Sequence, residues 1–373
     1  MAAAGACHFT FRHGRQFLGR RSEGCSGSQP ITSNGRGDIH LSADRDVILQ
    51  VEKLQTQFQV GRRIVKAVNG VSFRVERGRT LGVVGESGCG KSVTAHSILQ
   101  LLPKLGSITD GNITYHSDNG PIVLNKLRKN GGAIRAIRGK EIGMIFQDPM
   151  ASLNPVYSIG NQICENILQH ENVSKKEAAA RAVEMLTLLG IPKAAARLKD
   201  YPHQFSGGMK QRVMIAMAMV CRPKLLIADE PTTALDVTIQ AQILELMKEV
   251  QVKYGTSIIL ITHNMGIVAE MADEIAVMYM GRIVEFGTVR QVLGSPRHPY
   301  TKALLNSVPV LGIGKGERLQ TIRGSTPDPS DMPEGCEFAP RCDMATERCK
   351  SVPDETDLGG GHRVRCWNCM GGT

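Results

Sequence analysis

A glycine-rich stretch that ends in a lysine and a serine carries the clearest chemical signal in the sequence. Its residues are Gly85, Glu86, Ser87, Gly88, Cys89, Gly90, Lys91 and Ser92. The stretch follows a short apolar strand pattern and precedes a helical one, so loop amides and a helix N-terminus converge on one point. Such a point attracts phosphate, the lysine reaches the outer phosphates, and the serine hydroxyl holds Mg²⁺. The stretch therefore predicts a site for a nucleoside triphosphate.

A second chemical signal lies downstream, where an apolar strand pattern ends in two carboxylates. Residues Leu225 to Ala228 are followed directly by Asp229 and Glu230. Alone, such a pair is a common strand end, but beside a phosphate loop the two acids acquire different tasks. Asp229 is placed to bind Mg²⁺ directly or through water. Glu230 lies one residue further out and is placed to accept a proton from an attacking water molecule.

A serine and two glycines at the start of a predicted helix form the third motif. Ser206 has the properties of an N-cap, and Gly207 and Gly208 leave the first helical amides open to an anion. In isolation this is only a capped helix start. Together with the phosphate loop and the two acids it resembles the signature motif of ATP-binding cassette (ABC) proteins.

Further positions match the pattern of that family in the correct order along the chain. Gln147 corresponds to the glutamine loop, Asp236 to the loop after the acidic strand, and His263 to the switch histidine. Phe58 matches the aromatic residue that stacks on adenine, although a buried strand phenylalanine fits the pattern nearly as well. Asn264 stands where the family usually has aspartate, and the signature begins with Phe and ends with Met. Neither departure removes a catalytic group.

Longer segments are similar to one branch of the family, the ATPase subunits of bacterial dipeptide and oligopeptide importers. They are Phe146 to Pro155, Arg222 to Leu225, Thr238 to Gln242 and Arg297 to Thr301, and the cysteine-rich tail fits the same branch. The resemblance covers roughly residues 47 to 370. The N-terminal residues lie outside it.

This resemblance implies a role for each matched residue. Glu230, His263 and Gln147 are the expected catalytic residues, and Ser92, Gln147 and Asp229 the expected Mg²⁺ ligands. The expected nucleotide-binding residues are Phe58, Gly85 to Ser92, Ser206, Gly207, Gly208 and Asp236. ATP and Mg²⁺ are the implied ligands, and the implied activity is ATP hydrolysis coupled to peptide transport.

The resemblance also implies an assembly, at the cytoplasmic face of the bacterial inner membrane. Two ATPase subunits sandwich two nucleotides, and each signature helix faces the partner's phosphate loop. The partner is expected to be a homologous ATPase subunit, forming a heterodimer. Two membrane permeases and, indirectly, an external peptide-binding protein complete the system. Peptide specificity is then expected to reside in those other chains.

Cysteines crowd into the C-terminal tail, where Cys336, Cys342, Cys349 and Cys366 form a cluster. A cytosolic chain keeps its thiols reduced, so metal ligation is favoured over disulfides. The importer ATPases that the tail resembles carry a 4Fe–4S cluster at corresponding cysteines, and thiolates suit that cluster. Zinc is the alternative, because the spacing from Cys366 to Cys369 is typical of zinc ligands. We expect this metal site to be separate from the ATPase core, so that its loss affects the tail more than ATP binding.

Composition limits the remaining possibilities. The chain has 373 residues, 42% of them hydrophobic, and a formal net charge of +10. Its longest apolar run, Val213 to Cys221, is far shorter than the ~20 residues of a membrane-spanning helix, so we expect a soluble or peripheral protein. The positive charge suits a soluble ABC ATPase that acts on nucleic acid or the ribosome, which is the alternative function. The sequence does not interleave aromatic and basic residues, which argues against a nucleic-acid partner.

The elements that must position these residues alternate between strand and helix patterns. The pattern predicts strands Val47–Val51, Val71–Val75, Leu81–Val84, Ile142–Phe146, Leu225–Ala228 and Ser257–Ile261, and helices Val93–Leu102, Lys175–Leu189 and Val237–Tyr254. Residues 118 to 140 are expected to form a loop-rich insertion, and Met280-Gly281 a hairpin turn. Alternation of this kind predicts an α/β fold with a parallel sheet.

The resemblance identifies that fold as a P-loop NTPase of the ABC type. It has a RecA-like core, a helical subdomain, an antiparallel β subdomain and a small Cys-rich C-terminal domain. We expect a disordered extension at residues 1–46, an ABC ATPase domain at 47–294 with its helical subdomain at about 150–205, and the C-terminal domain at 295–373.

Overall fold

The computed structural model describes residues 46–233, 235–307 and 322–369. All of them belong to one compact unit that spans residues 43–373. The extension predicted for residues 1–46 lies outside the described residues, apart from the turn at Asp46.

Twelve strands form within the described residues. They are β1 Val47–Val60, β2 Arg63–Glu76, β3 Thr80–Val84, β4 Gly106–Ser117, β5 Gly120–Val123, β6 Ile142–Ile145, β7 Leu225–Asp229, β8 Ser257–Thr262, β9 Glu274–Tyr279, β10 Arg282–Thr288, β11 Thr356–Asp357 and β12 Arg363–Val364. The same residues form eleven α-helices. These are α1 Lys91–Ile98, α2 Gly132–Ile137, α3 Pro149–Ser152, α4 Ile159–His170, α5 Lys175–Leu188, α6 Ala194–Arg197, α7 Gly207–Met219, α8 Val237–Tyr254, α9 Met265–Met271, α10 Val289–Gly294 and α11 Pro299–Asn306.

The central sheet is mixed and has the strand order β11-β12-β10-β9-β3-β8-β7-β6. The strands from β9 to β6 run parallel, which confirms the parallel sheet predicted from the alternating pattern. Every residue of β3, β7 and β8 is buried, as expected for strands that are covered on both faces. The carboxyl ends of these neighbouring strands meet at one edge of the sheet, where polar side chains from three separate loops can lie together.

A second, antiparallel sheet has the order β2-β1-β4-β5. The predicted strand at Val47 begins where β1 begins, but β1 continues to Val60 because it pairs along its length with β2 and β4. The loop-rich insertion expected at residues 118–140 instead contains β5 and α2. Ile134 and Ile137 of α2 are buried, and β5 is held by its register with β4.

Helices α3 to α6 fill the region predicted to be helical at about 150–205. Helix α8 has the predicted bounds, ending at Gly255 in the left-handed conformation with φ of 64°. Helix α1 is shorter than predicted, because Gln100 has a φ of 51° and cannot continue a right-handed helix.

The hairpin predicted at Met280-Gly281 is confirmed. Both residues have positive φ, 45° and 78°, as in the type I′ turns that join tightly paired strands. The tail then returns to the central sheet, where β12 pairs with β10. The tail strand thus extends the sheet that carries the phosphate loop, and the domain boundary at residue 295 stays a prediction.

Candidate functional site

The phosphate loop joins β3 to α1 at the centre of the parallel sheet. Gly85, Gly88 and Gly90 adopt φ values of 155°, 81° and 104°, and two of them permit close backbone approach. A Cβ atom on Gly85 would lie 2.1 Å from the Met278 carbonyl oxygen, and one on Gly90 would lie 2.3 Å from that of Ala67. Glycine is therefore required at both positions for the loop to fit against β9 and β2.

Lys91 folds back over this loop. Its side chain is buried, and Nζ donates hydrogen bonds to the carbonyl oxygens of Gly85 at 2.7 Å and Glu86 at 3.0 Å. Within the described part of the chain, the amides of Ser87, Gly88 and Gly90 have no protein acceptor. A buried ammonium group, free amides and a helix N-terminus together form a site for phosphate.

Two other residues of the loop are committed to protein partners. The Glu86 amide donates to the Tyr300 hydroxyl at 2.8 Å, and the Glu86 carboxylate pairs with Arg341. Cys89 lies with its sulfur 3.7 Å from Lys91 Nζ, and burial raises the pKa of its thiol. Glu86, although it belongs to the loop predicted to bind nucleotide, therefore directs its polar groups toward the protein.

The metal-binding pair predicted from the sequence is assembled. Ser92 Oγ donates a hydrogen bond of 3.0 Å to Asp229 Oδ1, at the carboxyl ends of β3 and β7. Asp229 is buried, and burial raises the pKa of its carboxyl group. Hydroxyl and carboxylate oxygens are the ligands that Mg²⁺ prefers, so the pair fits this ion.

Glu230 gathers the remaining predicted catalytic side chains around its carboxylate. Gln147 Nε2 lies 3.1 Å from Oε2, and His263 Nδ1 lies 3.2 Å from Oε1. Thr233 Oγ1 donates to Oε2 at 2.8 Å. Burial raises the pKa of Glu230, but the hydrogen bonds from Thr233 and His263 outweigh it, and the pKa lies below its usual value. The carboxylate is therefore ionised at neutral pH and able to accept a proton.

The backbone at Glu230 is held in the left-handed region, with a φ of 48°. Its amide donates to the Ile261 carbonyl oxygen at 2.8 Å, which ties the end of β7 to β8. Such a conformation costs a non-glycine residue about 1–3 kcal/mol and persists only where the surroundings enforce it. The strain turns the side chain out of the strand direction, toward Gln147 and His263.

Two residues near this site had no role in the sequence prediction. Thr233 is the first residue of the segment 233–236 that matches the family's loop after the acidic strand, but that match assigns it no contact with Glu230. His96, in α1, is half-buried, and desolvation lowers the pKa of its imidazole despite the nearby Asp229 charge. Its ring centroid lies 6.3 Å from that of Phe146, just before Gln147. Only the folded chain brings these residues to the acids.

The signature motif lies apart from this cluster. Ser206 is the N-cap of α7, with Oγ accepting from the Met209 amide at 3.4 Å, and both Ser206 and Gly207 are exposed. Among the described residues, no hydrogen bond joins Ser206 to the chain's own phosphate loop. Gly208 packs closely, since an added Cβ would lie 2.9 Å from Ile239. The three signature residues therefore present an exposed helix N-terminus.

Asp236 and Phe58 are placed less distinctively. Asp236 is the N-cap residue of α8, but its side chain makes no capping hydrogen bond. Phe58 lies near the end of β1, half-buried, with its ring against Gly106.

The tail cysteines predicted to bind metal lie around one small cavity. Cys336, Cys342, Cys349 and Cys366 all line it, whereas Cys369 does not. Burial raises the pKa of Cys336 to about 11 and also raises the pKa of Cys342 and Cys366. No group of three or more His, Cys, Asp or Glu side chains converges on a single metal position in residues 46–233, 235–307 and 322–369.

Comparisons with known proteins agree with the geometry of the site. The ABC transporter family profile matches residues 68–233, and the profile of the oligopeptide/dipeptide transporter C-terminal region matches residues 284–349. The dipeptide transport ATP-binding protein DppD of Bacillus subtilis is 50% identical over 322 residues, which are 86% of this chain and 94% of DppD. The chain belongs to the ABC peptide-importer ATP-binding proteins.

Other members of this family are nearly as similar. The oligopeptide transport ATP-binding proteins AppD and OppD of Bacillus subtilis are each 49% identical over 86% of this chain, covering 96% and 88% of their own lengths. As in this family generally, the chain is an ATPase coupled to transport. The alternative of an ABC ATPase acting on nucleic acid or the ribosome finds no support among these relatives.

Solved structures confirm the ABC fold. The ATP-binding cassette MJ0796, solved as a dimer bound to ADP and Pi, is 25% identical with a TM-score of 0.57, covering 65% of this chain and 99% of that one. CbiO1 of Clostridium perfringens, part of the transporter complex CbiONQ, is 30% identical with a TM-score of 0.56, covering 67% and 92%. Among the helices that the structure describes, none combines the length and the apolar character needed to cross a membrane.

The position of Lys91 yields a direct test of the phosphate site. We expect Lys91→Met to weaken ATP binding by about 10-fold to 100-fold, because a charged hydrogen bond contributes about 1.5–3 kcal/mol. Titration of the full-length variant with ATP measures the change. Lys176→Met, on the exposed face of α5, is the matched control and is expected to bind as the wild type does. Equal affinities of the two variants would contradict the site.

Proposed function

We propose that this chain binds and hydrolyses ATP to drive the import of dipeptides or oligopeptides, with Glu230 as the residue that polarises the attacking water. One observation carries the proposal. The ionised Glu230 carboxylate contacts both Gln147 and His263 and follows directly after the Asp229 that pairs with Ser92. Base, metal ligands and phosphate loop thus meet at one edge of the sheet.

The proposed division of labour follows from these contacts. Lys91 and the loop amides would hold the phosphates, and Ser92, Asp229 and Gln147 would hold Mg²⁺. When bound, the ion neutralises charge that develops on the phosphates. His263, which lies 3.2 Å from Glu230 Oε1, would hold the γ-phosphate geometry. Positioning and charge stabilisation of this kind supply most of the catalysis in phosphoryl transfer.

Phe58 and Asp236 complete the nucleotide site in this proposal. The exposed part of the Phe58 ring offers a face on which adenine can stack. Asp236 leaves its carboxylate free at the start of α8, close in sequence to the Thr233 that holds Glu230.

The proposed assembly is a heterodimer of this chain with a homologous ATPase subunit. The α7 N-terminus at Ser206 and Gly207 is exposed, and a helix N-terminus attracts an anion. The nucleotide bound to a partner would supply that anion. The similar cassette MJ0796 has been solved as a dimer, and the relatives act in transport.

Two permeases are the proposed membrane partners, with an external peptide-binding protein acting through them. A groove of about 960 Å³ opens between α4 and its neighbours, lined in part by Tyr157, Leu168 and Leu198. Beside it, Val156 and Tyr157 are 72% and 54% exposed. Exposed apolar residues around a groove mark a protein interaction site. We place the subunit peripherally, at the cytoplasmic face of the bacterial inner membrane.

For the tail, we propose a 4Fe–4S cluster held by Cys336, Cys342, Cys349 and Cys366. The four thiols line one cavity. Thiolates suit iron–sulfur ligation, and these cysteines would hold the cluster. Zinc remains the alternative metal for the same cysteines. When bound, such a cluster supplies a redox-active and structurally rigid centre.

The role of Glu230 is tested by Glu230→Gln. We expect the variant to bind ATP but to hydrolyse it at least ~100-fold more slowly, which is the usual effect of removing a general base. Steady-state hydrolysis and nucleotide titration of the full chain measure the two quantities. Glu249→Gln, an exposed substitution in α8, is the control. Near-normal turnover of Glu230→Gln would rule out the assignment.

The sandwich arrangement is tested by Ser206→Arg. We expect this variant to lose hydrolysis while the isolated subunit still binds ATP, because the bulky cation blocks the partner's site and not its own. Ser174→Arg is the matched control, since Ser174 is likewise a helix N-cap, for α5. It removes a cap but touches no nucleotide. If Ser206→Arg impairs binding and hydrolysis equally, the signature belongs to its own chain's site and the sandwich fails.

The tail cluster is tested by colour and metal content. Anaerobically purified protein is expected to be brown, with broad absorbance near ~400 nm and about four iron atoms per chain. Serine at Cys336, Cys342, Cys349 or Cys366 should bleach the protein, whereas Cys369→Ser should not. Stoichiometric zinc without iron, or colour that survives Cys336→Ser, would reject the cluster.

A further inference from the structure

An arginine of the tail reaches into the phosphate loop. Arg341 ends a single 3-10 turn, Ala339–Arg341, that lies directly before Cys342. Its guanidinium group donates to both oxygens of the Glu86 carboxylate, at 2.6 Å from Nη1 and 3.0 Å from Nη2. The Arg341 side chain is 5% exposed and that of Glu86 is 26% exposed. This bidentate pair joins residues that are 255 positions apart.

Several contacts fix the guanidinium group in this orientation. Arg341 Nε donates to the Arg323 carbonyl oxygen at 2.9 Å, and Nη1 also lies 3.3 Å from the Tyr279 hydroxyl. Thr326 Oγ1 donates to Glu86 Oε2 at 3.4 Å. The planar fork of arginine matches a carboxylate on two bonds at once, which sets an orientation as well as a distance.

Glu86 is in turn connected to the catalytic lysine. Its carbonyl oxygen accepts from Lys91 Nζ at 3.0 Å and from the Cys89 amide at 3.3 Å. Its amide is held from the other side by the Tyr300 hydroxyl at 2.8 Å, in α11. Both the side chain and the backbone of this one loop residue are thus anchored by residues that follow the last catalytic motif.

The neighbours of Glu86 explain why such an anchor matters. Gly88 has open space around it, and glycine restricts the backbone less than any other residue. A phosphate site needs its amides held in one arrangement before the ligand arrives. Within the described residues, the groups that fix Glu86 to the rest of the protein come from Tyr300, Thr326 and Arg341.

We propose that Arg341 is a positioning residue for nucleotide binding, which holds the phosphate loop in its binding arrangement through Glu86. The inference rests on the ATP site proposed above. The tail is in contact with the ATPase core through Arg341, which lies between Cys336 and Cys342 and reaches the phosphate loop. A displacement of Arg341 is then transmitted to Lys91 by way of Glu86.

The experiment compares Arg341→Met, Glu86→Gln and the double variant with wild type, all as full-length chains. If the pair positions the loop, each single variant weakens ATP binding by about tenfold and the double variant weakens it no further, since both remove the same interaction. KM for ATP is expected to rise while kcat changes little, because ground state and transition state lose the same contacts. Arg341→Lys keeps the positive charge but not the planar fork. Its affinity for ATP should lie between those of the wild type and Arg341→Met.

The control is Arg323→Met. Arg323 belongs to the same tail, its side chain is 80% exposed, and it pairs with the exposed Asp343 at 3.6 Å. We expect it to bind ATP as the wild type does. Thermal unfolding of each variant reports whether it is folded. If Arg341→Met does not fold, Glu86→Gln still tests the pair, because it preserves the shape of the side chain.

The outcomes separate the competing explanations. If Glu86→Gln binds ATP normally while Arg341→Met does not, the effect is repulsion of phosphate by an unpaired carboxylate, and the positioning role is overturned. If all folded variants bind as the wild type does, Arg341 merely anchors the tail and the proposal is wrong. Failure of the wild-type chain itself to bind ATP would overturn the proposed function instead.

Discussion

The site depends on one constraint, the parallel alignment of β3, β8 and β7. Parallel strands deliver their following loops to the same edge of a sheet. The chain after β3 supplies Lys91 and Ser92, and the chain after β7 supplies Glu230, directly beyond Asp229. His263 follows β8, which lies between them. Had any of these strands been antiparallel, its polar residues would lie at the opposite edge of the sheet, away from the phosphate loop and from the residues proposed as metal ligands and base.

Within this arrangement of strands, the buried Asp229 and the half-buried Glu230 have different hydrogen-bond partners and opposite pKa shifts. Asp229 is buried, accepts a hydrogen bond from the Ser92 hydroxyl, and has its pKa raised by burial. A divalent cation bound there would compensate its charge, as proposed above. Glu230 accepts hydrogen bonds from Thr233 and lies against His263, and its pKa is lowered. The two neighbouring acids thus differ in charge environment, as the proposed roles of metal ligand and ionised acceptor require.

The sequence predicted those parts of the fold that local signals determine. Helix α8 was predicted at its observed bounds because Asp236 marks its start and Gly255 its end within the chain itself. The hairpin at Met280-Gly281 is equally local. By contrast, β5 was missed because its pairing with β4 gives no local periodicity, and α2 because it is short and lacks a side-chain N-cap. The grouping of Gln147 with Glu230 came from family resemblance, and the resemblance that included Thr233 did not indicate its hydrogen bond to Glu230.

The tail shows why long-range polar contacts escape such prediction. Nothing near Arg341 in sequence indicates a carboxylate partner, since the pair closes a loop that includes the whole catalytic core. Yet burying a guanidinium group without a partner is far too costly for a stable fold, so its burial requires an acid at that position. In this structure that acid is Glu86 of the phosphate loop. The tail therefore cannot pack in its observed position without also contacting the phosphate loop. The packing of the cysteine-rich segment and the conformation of the phosphate loop thus depend on the same ion pair.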